Sequence, residues 1–339
     1  MKRAFPVHQV VTTLLCLVLV VAPMSAFPSE TTDRPNPELG PTTVEVEIFL
    51  LDLDAIDSAS QSFEANVYFV ATWKDPRLVD EAQERTITRP LDQIWNPRLQ
   101  ILNQQRLWST MSDIVDIEPD GTVKLRSRVW GSFSQPLDLR EFPFDAQTIS
   151  IHVVAADYEP NQVALSPSPS SGIGSEFSVA DWEVVDWRIA TEFKTPDPEI
   201  AQSARIALFL EVERLRGYYW FKVIAPLILI VAMSWAVFWI DPKELSTKIS
   251  ITITAMLTLI AYRFAIGANL PAISYMTRMD LFILFSTILI YASLVAVLTT
   301  AGYSRKGSHG IAKGIDRGSR WGFPLFFFAS WLISMFLPI

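Results

Sequence analysis

The chain contains two kinds of hydrophobic pattern. In its first two thirds, apolar and polar residues alternate over short segments, as at residues 44–50, 66–73, 149–154 and 206–212. A period of two is typical of β-strands that bury one face. Pro, Gly, Asp and Asn residues separate these segments at intervals typical of a β-sandwich. We therefore predict an all-β, immunoglobulin-like sandwich over residues 43–216.

Longer apolar runs follow the strand region, at residues 218–240, 246–268, 279–303 and 319–338. Each run is close to the about 20 residues that a helix needs to cross the hydrocarbon core of a bilayer. We therefore predict a transmembrane domain of four helices over residues 217–339.

The N-terminal region has the composition of an export signal. Lys2 and Arg3 precede an apolar run and then small residues near Ala26, so residues 1–26 are predicted to be a cleaved signal peptide. Residues 27–42 are rich in Pro, Ser, Thr and Glu without periodicity, which predicts a flexible leader. The β domain should therefore lie outside the membrane.

The segment between the last two apolar runs supports the same orientation. In the loop 304–317, four basic residues outnumber the single acidic residue, Asp316. An excess of Lys and Arg is typical of short cytoplasmic loops. We therefore predict that this loop is cytoplasmic and that four crossings return the C-terminus to the outside.

Composition excludes several classes of function. The net charge of -8 lies mostly in the exported part, which makes nucleic acid an unsuitable partner. This charge serves solubility, or it concentrates cations near a pore mouth; both interpretations stay open.

Cys16 is the chain's one cysteine and lies in the signal segment, so we expect no disulfide. Zinc-ligand spacings, phosphate-binding glycine loops and nucleophile elbows are absent from the sequence of the exported domain, so we expect no enzyme, metal or cofactor.

The second apolar run differs from the others because hydroxyl residues follow one face. Steps of four and three place six residues on a common helical face: Ser246, Ser250, Thr254, Leu257, Ala261 and Phe264. Hydroxyls at the cytoplasmic end could replace part of an ion's hydration shell, while rings of Leu257 and Phe264 would form a hydrophobic gate. Serine and threonine also join membrane helices by hydrogen bonds, so from this stripe alone pore lining and helix packing stay open.

A pore would also require several copies of the chain. One subunit has a single striped helix, and one helix cannot enclose a pore, so pore lining implies a cyclic homo-oligomer. The periodicity does not give the number of subunits.

Several short motifs, in a fixed order, carry a resemblance to a known family. They are Trp73-Lys74-Asp75-Pro76-Arg77-Leu78, Trp95-Asn96-Pro97 with Asn103, Phe142-Pro143-Phe144-Asp145 with Gln147, Arg214 before the first apolar run, and Asn269-Leu270-Pro271 after the second. Together they resemble the pentameric ligand-gated ion channels, or Cys-loop receptors, and specifically the bacterial branch. The two cysteines of the eukaryotic loop would fall at Gln135 and Ile149, so the loop is present without its disulfide.

This resemblance implies a homopentamer around a central pore in the bacterial inner membrane, with the β domain in the periplasm. It implies that five Leu257 side chains form the central girdle, that Ala261 and Phe264 continue the outer barrier, and that Ser250 and Thr254 line the inner part. The expected function is a channel that opens when the β domain changes conformation. The alternative is a non-conducting sensor anchored by its four helices.

Ion selectivity is predicted from charge near the inner mouth. Before Lys248 the chain has Ser246-Thr247, which is neither the glutamate of animal cation channels nor the Pro-Ala pair of anion channels. Glu244 lies further into the cytoplasmic mouth, where an acidic ring would favour inorganic cations. The aromatic fourth helix is expected to face membrane lipids.

The agonist site is expected between subunits. On the principal side the matching positions are Leu102, Ala156 and Tyr158, so two aromatic residues of the family's cage are missing. The candidate ligand-binding residues are Tyr158, Phe193 and Trp130. An aromatic cage attracts ammonium groups, but a small amine, a carboxylate and a proton all remain possible agonists. Carboxylates at subunit interfaces or His152 would provide a route for proton gating.

Coupling between the β domain and the pore is expected to depend on Arg214, which resembles the family's buried arginine. Its predicted acidic partners are Asp145 and Asp57. Phe142 and Phe144 are expected to hold the loop by packing. Pro271 is expected to stiffen the segment that receives the movement above the pore.

Overall fold

The computed structural model describes residues 32–80, 84–192, 203–241, 243–267 and 273–336. The predicted signal segment lies outside the described residues, and so do Phe193 and Pro271.

The N-terminal domain is built from β-strands. Within the described residues the strands are β1 Thr42–Asp57, β2 Ser62–Lys74, β3 Ile87–Pro90, β4 Leu99–Ile101, β5 Gln104–Ser109, β6 Ile114–Ile117, β7 Thr122–Ser134, β8 Ala146–Ala155, β9 Val163–Pro167, β10 Gly172–Ile173, β11 Trp182–Glu192 and β12 Arg205–Arg214. The alternation at residues 44–50, 66–73, 149–154 and 206–212 falls in β1, β2, β8 and β12, as predicted.

These strands form two sheets. The larger has the order β10-β1-β2-β7-β6-β3, with β5 added to β7 and β9 to β1. The smaller has the order β11-β12-β8-β4. Neighbouring long strands are antiparallel, with Ile48 opposite Phe69 and Leu208 opposite Ile151. This arrangement confirms the predicted β-sandwich.

The domain core lies between the inner faces of the two sheets. Alternate residues of β1 and of the facing strands are fully buried: Val44, Val46, Ile48, Leu50, Ile149, Ile151, Leu208 and Leu210. Because successive side chains of a strand point to opposite faces, each strand contributes every second residue to this core. The core is extended by Trp73 and Trp95, whose rings meet edge to face at 5.8 Å.

Helices follow the sandwich, as predicted. We number them α1 Arg216–Trp239, α2 Leu245–Gly267, α3 Arg278–Arg305 and α4 His309–Phe336. A π-helical turn, Trp220–Ile224, lies inside α1 and ends two residues before Pro226. A wider turn accommodates a proline, which cannot donate a backbone hydrogen bond. The carbonyl of Val223 in this turn accepts a hydrogen bond from the Tyr262 hydroxyl of α2.

The helices differ in how well they suit a membrane. Among the described residues, α1, α2 and α3 are long and apolar enough to cross a bilayer. The helix α4 is not in this group because its first turns are charged, and its apolar part begins only near Trp321. The segment 304–317, predicted as a loop, is mostly helical: α3 continues to Arg305 and α4 begins at His309.

Candidate functional site

The helix α2 has two faces with different environments. Four residues at helical spacing are buried against the subunit's own helices: Lys248, Thr252, Ala255 and Leu259. The six predicted pore-lining residues, from Ser246 to Phe264, are all exposed in the single subunit. Leu257 is 61% exposed and Phe264 79%, which are high values for large apolar side chains. The other helices of the subunit therefore leave this face of α2 uncovered.

Hydroxyl groups on α2 are oriented by the helix backbone. Thr254 Oγ1 donates to the Ser250 carbonyl at 2.9 Å, and Thr258 Oγ1 donates to the Thr254 carbonyl at 2.8 Å. Because each hydroxyl hydrogen is directed at the backbone, the oxygen lone pairs remain available as acceptors. Such an oxygen can coordinate a cation.

The junction between the β domain and the helices centres on Arg214. Its guanidinium makes two bonds to the Asp145 carboxylate, Nε to Oδ1 at 2.7 Å and Nη2 to Oδ2 at 3.2 Å, and both side chains are only 2% exposed. Gln147 Nε2 donates to the same carboxylate at 2.8 Å. The structure thus places the predicted partner Asp145 against Arg214 in a bidentate, charge-assisted pair.

Asp57, the second predicted acidic partner, does not contact Arg214 among the described residues. It accepts hydrogen bonds from the backbone of Ala59 and Ser60 in its own turn. Hydrogen bonding to the Ser60 side chain, assisted by these backbone bonds, lowers the pKa of Asp57 from its ordinary value of 3.8. The contact from this turn to Arg214 is made by Ser58, whose Oγ accepts from Nη2 at 2.9 Å. Among the described contacts none joins Arg214 to Asp57, so this predicted pairing is wrong: the turn directs the neighbouring residue inward.

Aromatic rings enclose the Arg214 guanidinium. Its central carbon lies 4.1 Å from the ring of Trp182 and 4.9 Å from that of Phe142. Phe142 is buried and also meets the Tyr219 ring edge to face at 5.1 Å. Phe144 lies 6.1 Å from Trp220 at the top of α1. Both predicted phenylalanines therefore pack at the junction, one on the arginine and one on the first helix.

The loop that carries Phe142 also contacts the start of α3. The backbone N–H groups of Arg278 and Met279 donate to the carbonyls of Arg140 and Phe142, at 3.0 and 3.2 Å. The first N–H groups of a helix have no partner within the helix, so here the β domain supplies their acceptors. A salt bridge of 2.6 Å between Arg278 and Glu141 reinforces this contact.

Tyr275 adds a further connection that sequence reasoning missed. Its hydroxyl accepts from the Leu139 backbone at 3.0 Å, and the Arg140 guanidinium lies 5.1 Å from its ring. The nearest sequence signal was the Thr277–Asp280 pair, which forms a complete capping box at the start of α3. That signal marks where the helix begins but does not identify what contacts it.

A cleft on the larger sheet holds the candidate Trp130. Its ring stacks on Trp108 with 5.1 Å between centroids, and its Nε1 donates to Asp54 Oδ2 at 3.0 Å. The two tryptophans, with Glu64 and Arg106, line a cleft of about 500 Å³. Trp108 is 55% exposed, so an exposed aromatic pair lies beside carboxylates.

A glycine makes the approach of these two strands possible. Gly131 on β7 has φ +149°, and a Cβ at this position would lie 2.0 Å from the Arg106 carbonyl of β5. Glycine is therefore required for β5 to come close enough for Trp108 to cover Trp130.

Tyr158, the other described ligand candidate, lies apart from this cleft. It follows β8 and is half-buried, and its hydroxyl accepts from Trp95 Nε1 at 2.9 Å. The hydroxyl is therefore used in the core of its own subunit. Within one chain the structure does not bring Tyr158 and Trp130 together.

A β-sandwich joined to membrane-spanning helices, with an uncovered hydroxyl-bearing face on the second helix, defines the class of ligand-gated ion channels. Residues 29–214 match the neurotransmitter-gated ion-channel ligand binding domain, and residues 223–309 match the neurotransmitter-gated ion-channel transmembrane region. The chain belongs to this family and is a bacterial membrane protein with a large extracellular domain. It is 27% identical over 304 residues to a proton-gated ion channel of Gloeobacter violaceus, covering 88% of this chain and 83% of the relative.

Proposed function

We propose that five copies of the chain form a cation-selective channel, lined by α2 and opened by conformational change in the β domain. The two-faced character of α2 carries this proposal. Its buried face, with Thr252, Ala255 and Leu259, completes the fold of one subunit, whereas the opposite face is left exposed by the described residues of that subunit. In a ring of subunits, that second face is available to line an axial pore.

Cation selectivity is supported by one feature of this face and one of the segment just before α2. The hydroxyl oxygens of Thr254 and Thr258 direct their hydrogens to the backbone and their lone pairs away from it. Glu244, just before α2, is exposed at the inner end. Acceptor oxygens and an acidic ring both favour cations over anions. Leu257 and Phe264 would close the pore by excluding water.

The agonist is proposed to be a small cation or the proton. The stacked Trp108 and Trp130, beside Asp54 and Glu64, form a surface suited to an ammonium group, because aromatic faces and carboxylates both attract cations. The proton-gated relative makes the proton the second agonist to test. Exposed aromatic and aliphatic residues of α4, such as Trp321 and Leu325, fit contact with lipids.

Two carboxylates are poor sensors for protons near neutral pH. A hydrogen bond from Thr88 and the nearby Arg126 lower the pKa of Asp116 from its ordinary 3.8, and the pKa of Asp57 is also lowered. The carboxylates of Asp57 and Asp116 therefore stay ionised until the pH falls below their ordinary pKa of 3.8. A channel opened at mildly acidic pH would therefore use other groups.

The pore assignment is tested by cysteine substitution. In a background without Cys16, single cysteines are placed on the exposed face, at Ser250, Thr254 and Ala261, and on the buried face as matched controls, at Thr252 and Ala255. We expect a charged methanethiosulfonate reagent to block agonist-evoked current only for the first group. Equal modification of both faces would overturn the assignment. A correctly assembled oligomer without current in any condition would favour the non-conducting sensor.

A further inference from the structure

The cytoplasmic half of the helical domain contains a buried ion pair. Lys248 Nζ on α2 lies 2.6 Å from Asp316 Oδ2 on α4, and the side chains are 0% and 3% exposed. Thr300 on α3 directs its hydroxyl to the other carboxylate oxygen at 3.4 Å. Three helices of one subunit therefore enclose two opposite charges.

This pair lies on the side of α2 that faces away from the proposed pore. Lys248 and Ser250 are two residues apart, which is about 200° around a helix. Lys248 shares the buried face with Thr252, whose hydroxyl donates to the Lys248 carbonyl at 2.8 Å. The ammonium group is thus held behind the pore-facing surface and close to the narrow inner end.

Three charged residues directly precede α2, whereas the exposed basic residues Arg305, Lys306, Lys313 and Arg317 lie on or between α3 and α4, behind α2. Asp241, Lys243 and Glu244 are exposed, so in the segment that leads into α2 carboxylates outnumber ammonium groups by one. The charged residues within α2 are Lys248 and Arg263, and Arg263 lies near the opposite, outer end. An uncompensated Lys248 would cancel the excess of negative charge in the segment that leads into α2.

We propose that Asp316 is a selectivity-determining residue, because it neutralises Lys248 and leaves the acidic ring of Glu244 as the charge that permeating ions meet. Asp316 acts through Lys248 and is a positioning residue; it does not contact the ions. This inference rests on the proposed cation channel. An unpaired charge in a low-dielectric region acts over a longer distance than one in water, so its effect reaches the pore.

The competing explanation is a latch that only holds α2 to α4. The two explanations predict different relations between the effects of the two single variants. For a latch, loss of either partner weakens the same contact and has the same effect on assembly or gating. For charge neutralisation, Asp316→Asn leaves a positive charge and Lys248→Met leaves a negative one, so their effects on ion flow are opposite.

The experiment is single-channel recording of the full-length protein in liposomes, comparing wild type, Asp316→Asn, Lys248→Met and the double variant under a NaCl gradient. Unitary conductance does not depend on how much protein assembles. We expect Asp316→Asn to lower cation conductance at least about twofold and to move the reversal potential toward chloride. Lys248→Met should shift both quantities the other way, and the double variant should resemble wild type.

Each outcome decides the question. Shifts of the same sign in both single variants, or none, would overturn the proposal and leave a latch. If neither single variant assembles, the double variant still tests it, because a buried pair can often be replaced by neutral residues. A conductance of the double variant about twofold or more above wild type would show that Lys248 is not neutralised. Failure of the proposed function is distinguishable: wild-type reversal would follow chloride, while the two single variants would still shift in opposite directions.

Discussion

Replacement of Arg214 by alanine should cause a large loss of stability. Arg214 and Asp145 are each 2% exposed and joined by two hydrogen bonds. Removal of one partner from a buried ion pair leaves the other charge without compensation, at a cost of about 3–5 kcal/mol. Gln147 still donates to the Asp145 carboxylate but carries no charge to balance it.

A matched control has the same chemistry on the surface. Arg98 and Asp157 are 2.8 Å apart, close to the 2.7 Å of the buried pair, but their side chains are 64% and 47% exposed. Loss of an exposed ion pair costs little because water replaces the interaction. The difference in stability between the two variants therefore shows how much burial adds to the effect of losing an ion pair.

The assay is thermal unfolding of the purified oligomer at a fixed scan rate, since unfolding of such assemblies is often irreversible. For a domain of this size 1 kcal/mol corresponds to about 2–4 °C, so Arg214→Ala should lower the Tm by roughly 6–20 °C. Arg98→Ala should lower it by much less, because the exposed pair contributes little to stability. Equal shifts for the two variants would refute the reasoning. Arg214→Ala should also abolish agonist-evoked current in whatever protein reaches the membrane.

Three further predictions concern other parts of the site. Gly131→Ala should destabilise the β domain, because its Cβ would lie 2.0 Å from a carbonyl. Gly302→Ala on α3 should be neutral or stabilising, because no described atom beyond its own helix turn lies within 4 Å of the added Cβ; equal melting temperatures of the two variants would contradict this. Tyr275→Phe should cost about 0.5–1.5 kcal/mol and raise the agonist concentration for half-activation; an unchanged dose–response curve would exclude a coupling role. The hydrogen bonds that lower the pKa of Asp57 from 3.8 also stabilise the folded state. This stabilisation is fully present above pH 3.8 and is lost as the pH falls through the lower pKa that Asp57 has in the folded state. Asp57→Asn should therefore lower the Tm at pH 7 and have little effect at strongly acidic pH; a constant difference would contradict this.

Strands and apolar helices were predictable because each is a repeating pattern. Alternation located β1, β2, β8 and β12, since only one face of each strand is buried. The helical continuation of α3 and α4 through the segment 304–317 was missed. That segment is charged rather than apolar, so hydropathy marked it as a loop.

Contacts between distant residues were harder to predict. The resemblance identified Arg214 and Asp145, but the sequence could not show whether Asp57 or Ser58 would point at the guanidinium, because the turn geometry decides it. The partners Lys248 and Asp316 are 68 residues apart. Two isolated charges show no periodicity, and only the packing of three helices brings them together.

The most direct test of the central claim is a patch-clamp recording of purified protein in liposomes under a NaCl gradient, with amine and pH steps, comparing wild type with Leu257→Ala and with Leu259→Ala on the buried face. We predict agonist-evoked current that reverses near the sodium equilibrium potential, and current without agonist only in Leu257→Ala. Reversal near the chloride potential, or leak from both variants alike, would contradict a cation pore gated at Leu257.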